Sequence, residues 1–160
     1  MIASVLLLLA QAAPAPEPPK KEKRTDALRR LYEKDRAGAG DACRLLLAVA
    51  KGEPVEGEFD ALRKEAVERG LLDAGWELTD AGPVDNATVA YMLVKALGIK
   101  GVLTMSVFGP SRRYAFRECL FLKLIAGGTP GEFVSGRELL DILTAAERWK
   151  QAGNLDAERR

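Results

Sequence analysis

"VDNATVAYMLVKALGIK", Val84 to Lys100, carries a helix together with its start and stop signals. Asp85 stands where a carboxylate can accept from the unpaired amides of a first turn. Val89, Ala90, Leu93 and Leu97 follow at helical spacing, and Gly98 punctuates the end. The triplet Asn86-Ala87-Thr88 also matches a glycosylation acceptor, but a helix start explains it better.

The same signals recur along the chain. "VSGRELLDIL", Val134 to Leu143, lies under "VDNATVAYML", Val84 to Leu93, at an offset of 50. Val, cap, helix and closing Leu coincide. Ser135 and Glu138 form a capping box, each able to satisfy the other's exposed backbone donor. Upstream, "RECLFLKLI" (Arg117 to Ile125) lies under "KEAVERGLL" (Lys64 to Leu72) at an offset of 53, so the second intervening loop is three residues shorter. Each unit reads helix, turn-rich loop, capped helix. "AGAGDACRLL" resembles the capped-helix half of a further unit. A lone helix pair cannot bury its apolar faces, so neighbouring units must supply each other's core. No segment alternates in the manner of a strand, and the expected fold is all-α, a domain of tandem helix-loop-helix repeats over residues 25–150. Leu93 and Leu143 are expected in matching inner places.

Between these segments, Thr25 to Lys34 is a short charged helix with Leu28, Leu31 and Tyr32 on one side, and "RRYAFRECLFLKLI" is a helix opened by Ser111. Val102 to Phe108 is less regular. Residues 151–160 lose the pattern and are expected to fray.

The N-terminus reads as an export signal. Ile2 to Ala10 is apolar, Ala10-Gln11-Ala12 fits small-x-small cleavage, and residues 1–12 form the signal peptide. The run is well short of the ~20 residues a bilayer needs. No integral membrane span is expected unless the signal stays uncleaved. Pro14, Pro16, Pro18 and Pro19 mark residues 13–24 as an extended linker. The expected location is the periplasm or cell envelope.

Composition excludes several function classes. The chain of 160 residues has 24 basic and 23 acidic side chains, so no whole-chain field would hold nucleic acid. It has no histidine, the commonest general base and neutral metal ligand. Cys43 and Cys119 lie in amphipathic patterns and read as unbridged buried side chains, with a disulfide as the alternative. Cys119 lacks a histidine to activate it, and its apolar surroundings raise a thiol pKa. Asp73, Glu77, Asp80 and Asp85 match no EF-hand spacing and read as turn and cap residues. No metal or other cofactor is expected. "GPSRRYAFR" gathers Arg112, Arg113 and Arg117 with Tyr114, the best candidate for an anion, and Trp76 is a candidate for stacking on a sugar.

The unit resembles the S-layer homology repeat, in which a first helix ends in Gly and an apolar pair, as in "ERGLL". A loop then leads to a capped helix with the pattern Thr-Arg-x-Glu-apolar-Ala-x-apolar-Leu. The resemblance covers Gly38 to Trp149. It implies a helical-repeat envelope domain whose partner is another envelope protein or a cell-wall polymer. The family's polymer-gripping arginine falls here on Ala39, Asn86 and Gly136. None of these offers a guanidinium fork, so the resemblance carries the fold further than the glycan-binding activity. The expected function is therefore a non-enzymatic envelope scaffold or adaptor. Alternatives are a glycan-binding module rebuilt around Arg112, Arg113 and Trp76, and, more distantly, a small hydrolase.

Overall fold

A computed structural model describes residues 20–100 and 111–158, with side chains from Thr25 to Lys100 and from Ser111 to Gly153. Residues 1–12, most of the linker and Val102 to Phe108 lie outside that range. Among the described residues the fold is all-α, with six helices and no strand. These are α1 (Lys20–Tyr32), α2 (Ala39–Lys51), α3 (Phe59–Glu68), α4 (Asn86–Ala96), α5 (Arg112–Phe121) and α6 (Gly136–Glu158).

The start signals act as their chemistry requires. The Asp85 carboxylate accepts from Thr88 N at 2.7 Å, and Ser111 Oγ accepts from Tyr114 N at 3.3 Å. Glu138 Oε2 accepts from Ser135 N at 2.8 Å while Ser135 Oγ accepts from Glu138 N at 3.2 Å. Asp41 does the same for α2, accepting from Gly38 N at 3.2 Å. Each bond satisfies a donor that the helix itself leaves unpaired. Helix ends are equally legible: Gly52, Gly70 and Gly98 all adopt positive φ, the left-handed turn in which a helix closes.

Two boundaries differ from expectation. α1 begins at Lys20, five residues ahead of Thr25, because the run after Pro19 is Lys-Lys-Glu-Lys-Arg and contains nothing that stops a helix. α6 continues to Glu158 through the segment expected to fray. Loss of an apolar stripe removes the reason to pack but leaves helix propensity intact, and Gly153 alone does not break the run.

Packing follows an order that the sequence does not announce. Helices α3, α5 and α1 do not pair with the capped helix that follows each in the chain: α3 lies on α2, α5 on α4, and α1 on α6. Helix α2 also packs on α4 and α6. Three residues before the capped helices, Ala37, Val84 and Val134, form a closed cycle of backbone bonds. Ala37 N donates to Val134 O at 2.7 Å, Val134 N to Val84 O at 3.0 Å, and Val84 N to Ala37 O at 3.2 Å. All three side chains are essentially inaccessible. One residue past each cap a second set runs around the same three segments in the opposite sense: Ala39 N donates to Gly82 O, Asn86 N to Glu132 O, and Gly136 N to Lys34 O. The chain thus closes on itself, α1 returning to the far end at α6.

Around this cycle lie Leu46, Leu47, Met92, Leu93 and Leu139, each fully buried. Leu93 is inside as expected, whereas Leu143 is half-buried and lines a groove beside α2 with Leu45 and Val49. The inner positions of α6 belong to Leu139, Ile142 and Ala146. The inequality has a physical source: α4 is covered by α2 and α5, while Leu143 borders an open groove between α6, α2 and the turn at Gly52 to Pro54.

The apolar pairs match closely. Leu71 N and Leu72 N both turn back to Ala66 O, at 2.8 and 3.3 Å, and Leu124 N and Ile125 N turn back to Cys119 O at 2.8 and 3.3 Å. All four side chains are buried. The residue preceding each pair has positive φ, Gly70 before the first and Lys123 before the second. Lysine bears a Cβ penalty there that glycine avoids.

Candidate functional site

Two of the four expected ligand residues meet. The Arg112 guanidinium lies over the Trp76 ring, 4.8 Å from its centroid. The first turn of α5 supplies Arg112, and the loop after α3 supplies Trp76. That loop is fixed from below: Arg63 on α3 donates to Trp76 O at 2.9 Å and Ala74 O at 3.3 Å. On α4, Tyr91 meets Trp76 edge to face with centroids 5.1 Å apart, and Lys95 stands 5.6 Å from the Tyr91 centroid. Burial pushes the Tyr91 phenol pKa up, and the Asp73 carboxylate adds to the shift, so the ring stays neutral. The result is a ladder of cation, indole, phenol and cation across the α4–α5 seam. Tyr91 and Lys95 were not singled out by sequence, although their spacing of four places them on one helical face.

Arg113 and Arg117 do not join this ladder. Both are exposed on α5, four residues apart and in line with Phe121, which is 73% exposed. Neither forms an ion pair among the described residues. The local sequence brought three arginines together in number; helical geometry sends them to different sides.

The positions at which the resemblance would have an arginine are closed to one. Ala39, Asn86 and Gly136 are all buried. A Cβ at Gly136 would lie 1.7 Å from Leu31 O, a backbone atom. Asn86 instead donates its side-chain amide to Thr129 O at 3.1 Å, which also occupies the nitrogen that glycosylation would need. Beside Asn86 opens a cleft of about 430 Å³, lined in part by Lys123, Glu132, Glu138 and Asp141. Three carboxylates against one ammonium repel an anionic polymer. Two of the carboxylates have structural work: Glu132 accepts from Thr129 N, and Glu138 holds the α6 cap. The Ser135 amide hydrogen bond lowers the Glu138 pKa below its ordinary value, the Ser135 hydroxyl assisting.

The remaining chemical candidates also resolve into structure. Cys43 and Cys119 are buried free thiols. Burial pushes them up to about 11 and about 12 respectively, so the nucleophilic thiolate is scarce at neutral pH. Cys119 donates weakly to Ala90 O. Asp73 accepts from Gly75 N within its own turn, and Asp85 is the α4 cap. No three His, Cys, Asp or Glu side chains converge as a metal site among the described residues. No helix among them is long and apolar enough to cross a membrane.

Glu118 is a further group that the sequence does not single out. Its residue is 8% exposed, and Oε1 has no hydrogen-bond partner. Glu65, its counterpart at the offset of 53, sits 3.2 Å from Lys51 and 3.0 Å from Arg69. Those cations, Lys51 first, lower the Glu65 pKa. At the same offset Arg69 becomes Leu122, so the second carboxylate loses that partner.

No protein-family model matches the chain, and no curated protein or solved structure matches it.

Proposed function

We propose that this protein is an exported, non-enzymatic scaffold or adaptor of the cell envelope, built from S-layer-homology-like helix-loop-helix units that close into a ring. The observation that carries the architectural part is the backbone cycle through Ala37, Val84 and Val134. Three chain segments occupy equivalent hydrogen-bonding roles at offsets of 47 and 50, as three copies of one unit around a common axis would. The exchange of helices between units supports the same reading, since each unit buries its first helix on a neighbour. Export rests on the apolar run Ile2 to Ala10 and the small residues after it. Its partner is an envelope protein or a wall polymer.

Cell fractionation with N-terminal sequencing tests the proposal. A mature terminus at Ala13 in the envelope or periplasmic fraction is expected. A cytosolic protein that retains Met1 would overturn it.

A second reading, a module that binds cell-wall glycan, is favoured by the Arg112–Trp76 stack with Tyr91 and Lys95 behind it. An aromatic face flanked by two cations suits an acidic sugar. Retention on purified wall material above a charge-matched control, lost in Arg112→Ala and in Trp76→Ala, would establish this reading. Equal retention on both materials would remove it.

A further inference from the structure

We infer that α1 is a detachable strap: it leaves its seat on α6 as a unit while the rest of the ring stays folded. The inference compares three helix seats, taking their correspondence from the repeat reading, and does not rest on export.

Helix α3 is seated on α2 by Leu62 and Ala66, both buried, with Phe59 and Val67 packed against the core. Helix α5 is seated on α4 by Ala115, Phe116 and Cys119, all buried. Each is then followed by the buried apolar pair, Leu71–Leu72 or Leu124–Ile125, which turns beneath the helix end. Among its described side chains helix α1 has neither feature. From Thr25 to Tyr32 it gives the core one side chain, Leu31; Leu28 is half-buried but does not pack against the core cluster. Between Tyr32 and the cycle residue Ala37 stand only Glu33, Lys34, Asp35 and Arg36, all exposed. The apolar pair is missing from this seat.

Partly solvated contacts take its place. Arg137 lies over Tyr32 at 4.7 Å and Arg36 over Phe133 at 4.8 Å, and the two rings are 50% and 44% exposed. Lys34 pairs with Asp41 and lends its carbonyl to Gly136 N at 2.9 Å. Water competes for each of these groups once α1 lifts, so their loss is largely compensated. Burial is what makes a segment open only with the whole molecule, and among the described side chains the stretch from Thr25 to Tyr32 of α1 has the least of it. The residues before α1 are the Pro-rich stretch, so traction on that stretch reaches the weakest seat first. Lifting α1 uncovers a helix-sized strip of α6 on the side that carries Gly136.

Hydrogen exchange on the full chain, read by mass spectrometry, tests this. The amides of α1 are expected to exchange at least about tenfold faster than those of α3 and α5. In Leu31→Ala, exchange of α1 should accelerate further by about tenfold or more while α3 and α5 keep their wild-type rates. Equal protection of all three helices in the wild type, or a Leu31→Ala effect shared by all three, would overturn the inference.

Discussion

Substituting Gly136 by alanine should destabilise the protein, although alanine is the better helix former. Gly136 opens α6, and a Cβ there would fall 1.7 Å from Leu31 O and 2.7 Å from Leu31 C. Both are backbone atoms at the end of α1, so no rotamer change relieves the contact. The end of α1 must retreat by more than an ångström. That movement breaks the bond from Gly136 N to Lys34 O, worth about 1 kcal/mol. It also exposes much of Leu31, worth about 2 kcal/mol. The total is about 3 kcal/mol, and it cannot greatly exceed that figure because complete release of α1 is always available. For a chain of this length the expected fall in Tm is roughly 6–12 °C. Gly153→Ala provides the control: the same substitution, in the same helix, where a Cβ meets nothing within 4 Å. It should raise stability by about 0.5–1 kcal/mol. Urea and thermal unfolding followed by far-ultraviolet circular dichroism would measure both. If Gly136→Ala matches or exceeds the wild type in stability, the close approach of α6 to α1 is refuted, and with it the closure of the ring.

Leu93→Ala should cost about 3–5 kcal/mol and Leu143→Ala about 1–2 in urea titrations, because the first side chain is fully buried and the second is not; equal losses would contradict the asymmetry between α4 and α6. Glu138→Ala should cost about 1 kcal/mol at pH 7 through the lost cap. The folded pKa of Glu138 is lowered, so its contribution is present above the ordinary value of about 4.3 and is lost as pH falls through the lower folded value; the stability gap to wild type should therefore close in acid, and a gap that widens there would be inconsistent with the capping box. Native Cys43 and Cys119 should resist a thiol reagent such as DTNB at pH 8 and both react in denaturant, since burial raises both thiols; prompt labelling of the folded protein would contradict their burial. Glu118→Leu should raise stability by about 1 kcal/mol or more, because it removes a buried carboxylate oxygen with no partner; a loss of similar size would mean that Glu118 is paired.

By itself the sequence determined the local chemistry of this protein. Asp85, Ser111, Ser135 and Glu138 were legible as helix starts, and Gly52, Gly70 and Gly98 as stops, because capping is settled within three or four residues of chain. The all-α class and the burial of Leu93 followed from periodicity for the same reason. It also placed Trp76 and Arg112 among the candidates on their chemistry alone. Only the tertiary structure decided what lies across from each element. Local signals say which side of a helix is apolar but not which helix will cover it. The return of α1 to α6, the backbone cycle through Ala37, Val84 and Val134, and the half-exposure of Leu143 were therefore hidden. The same limit separated Arg112, which reaches Trp76, from Arg113 and Arg117, which do not, and it left Glu118 unnoticed. A buried carboxyl group is defined by the atoms around it, and those come from segments far away in the chain.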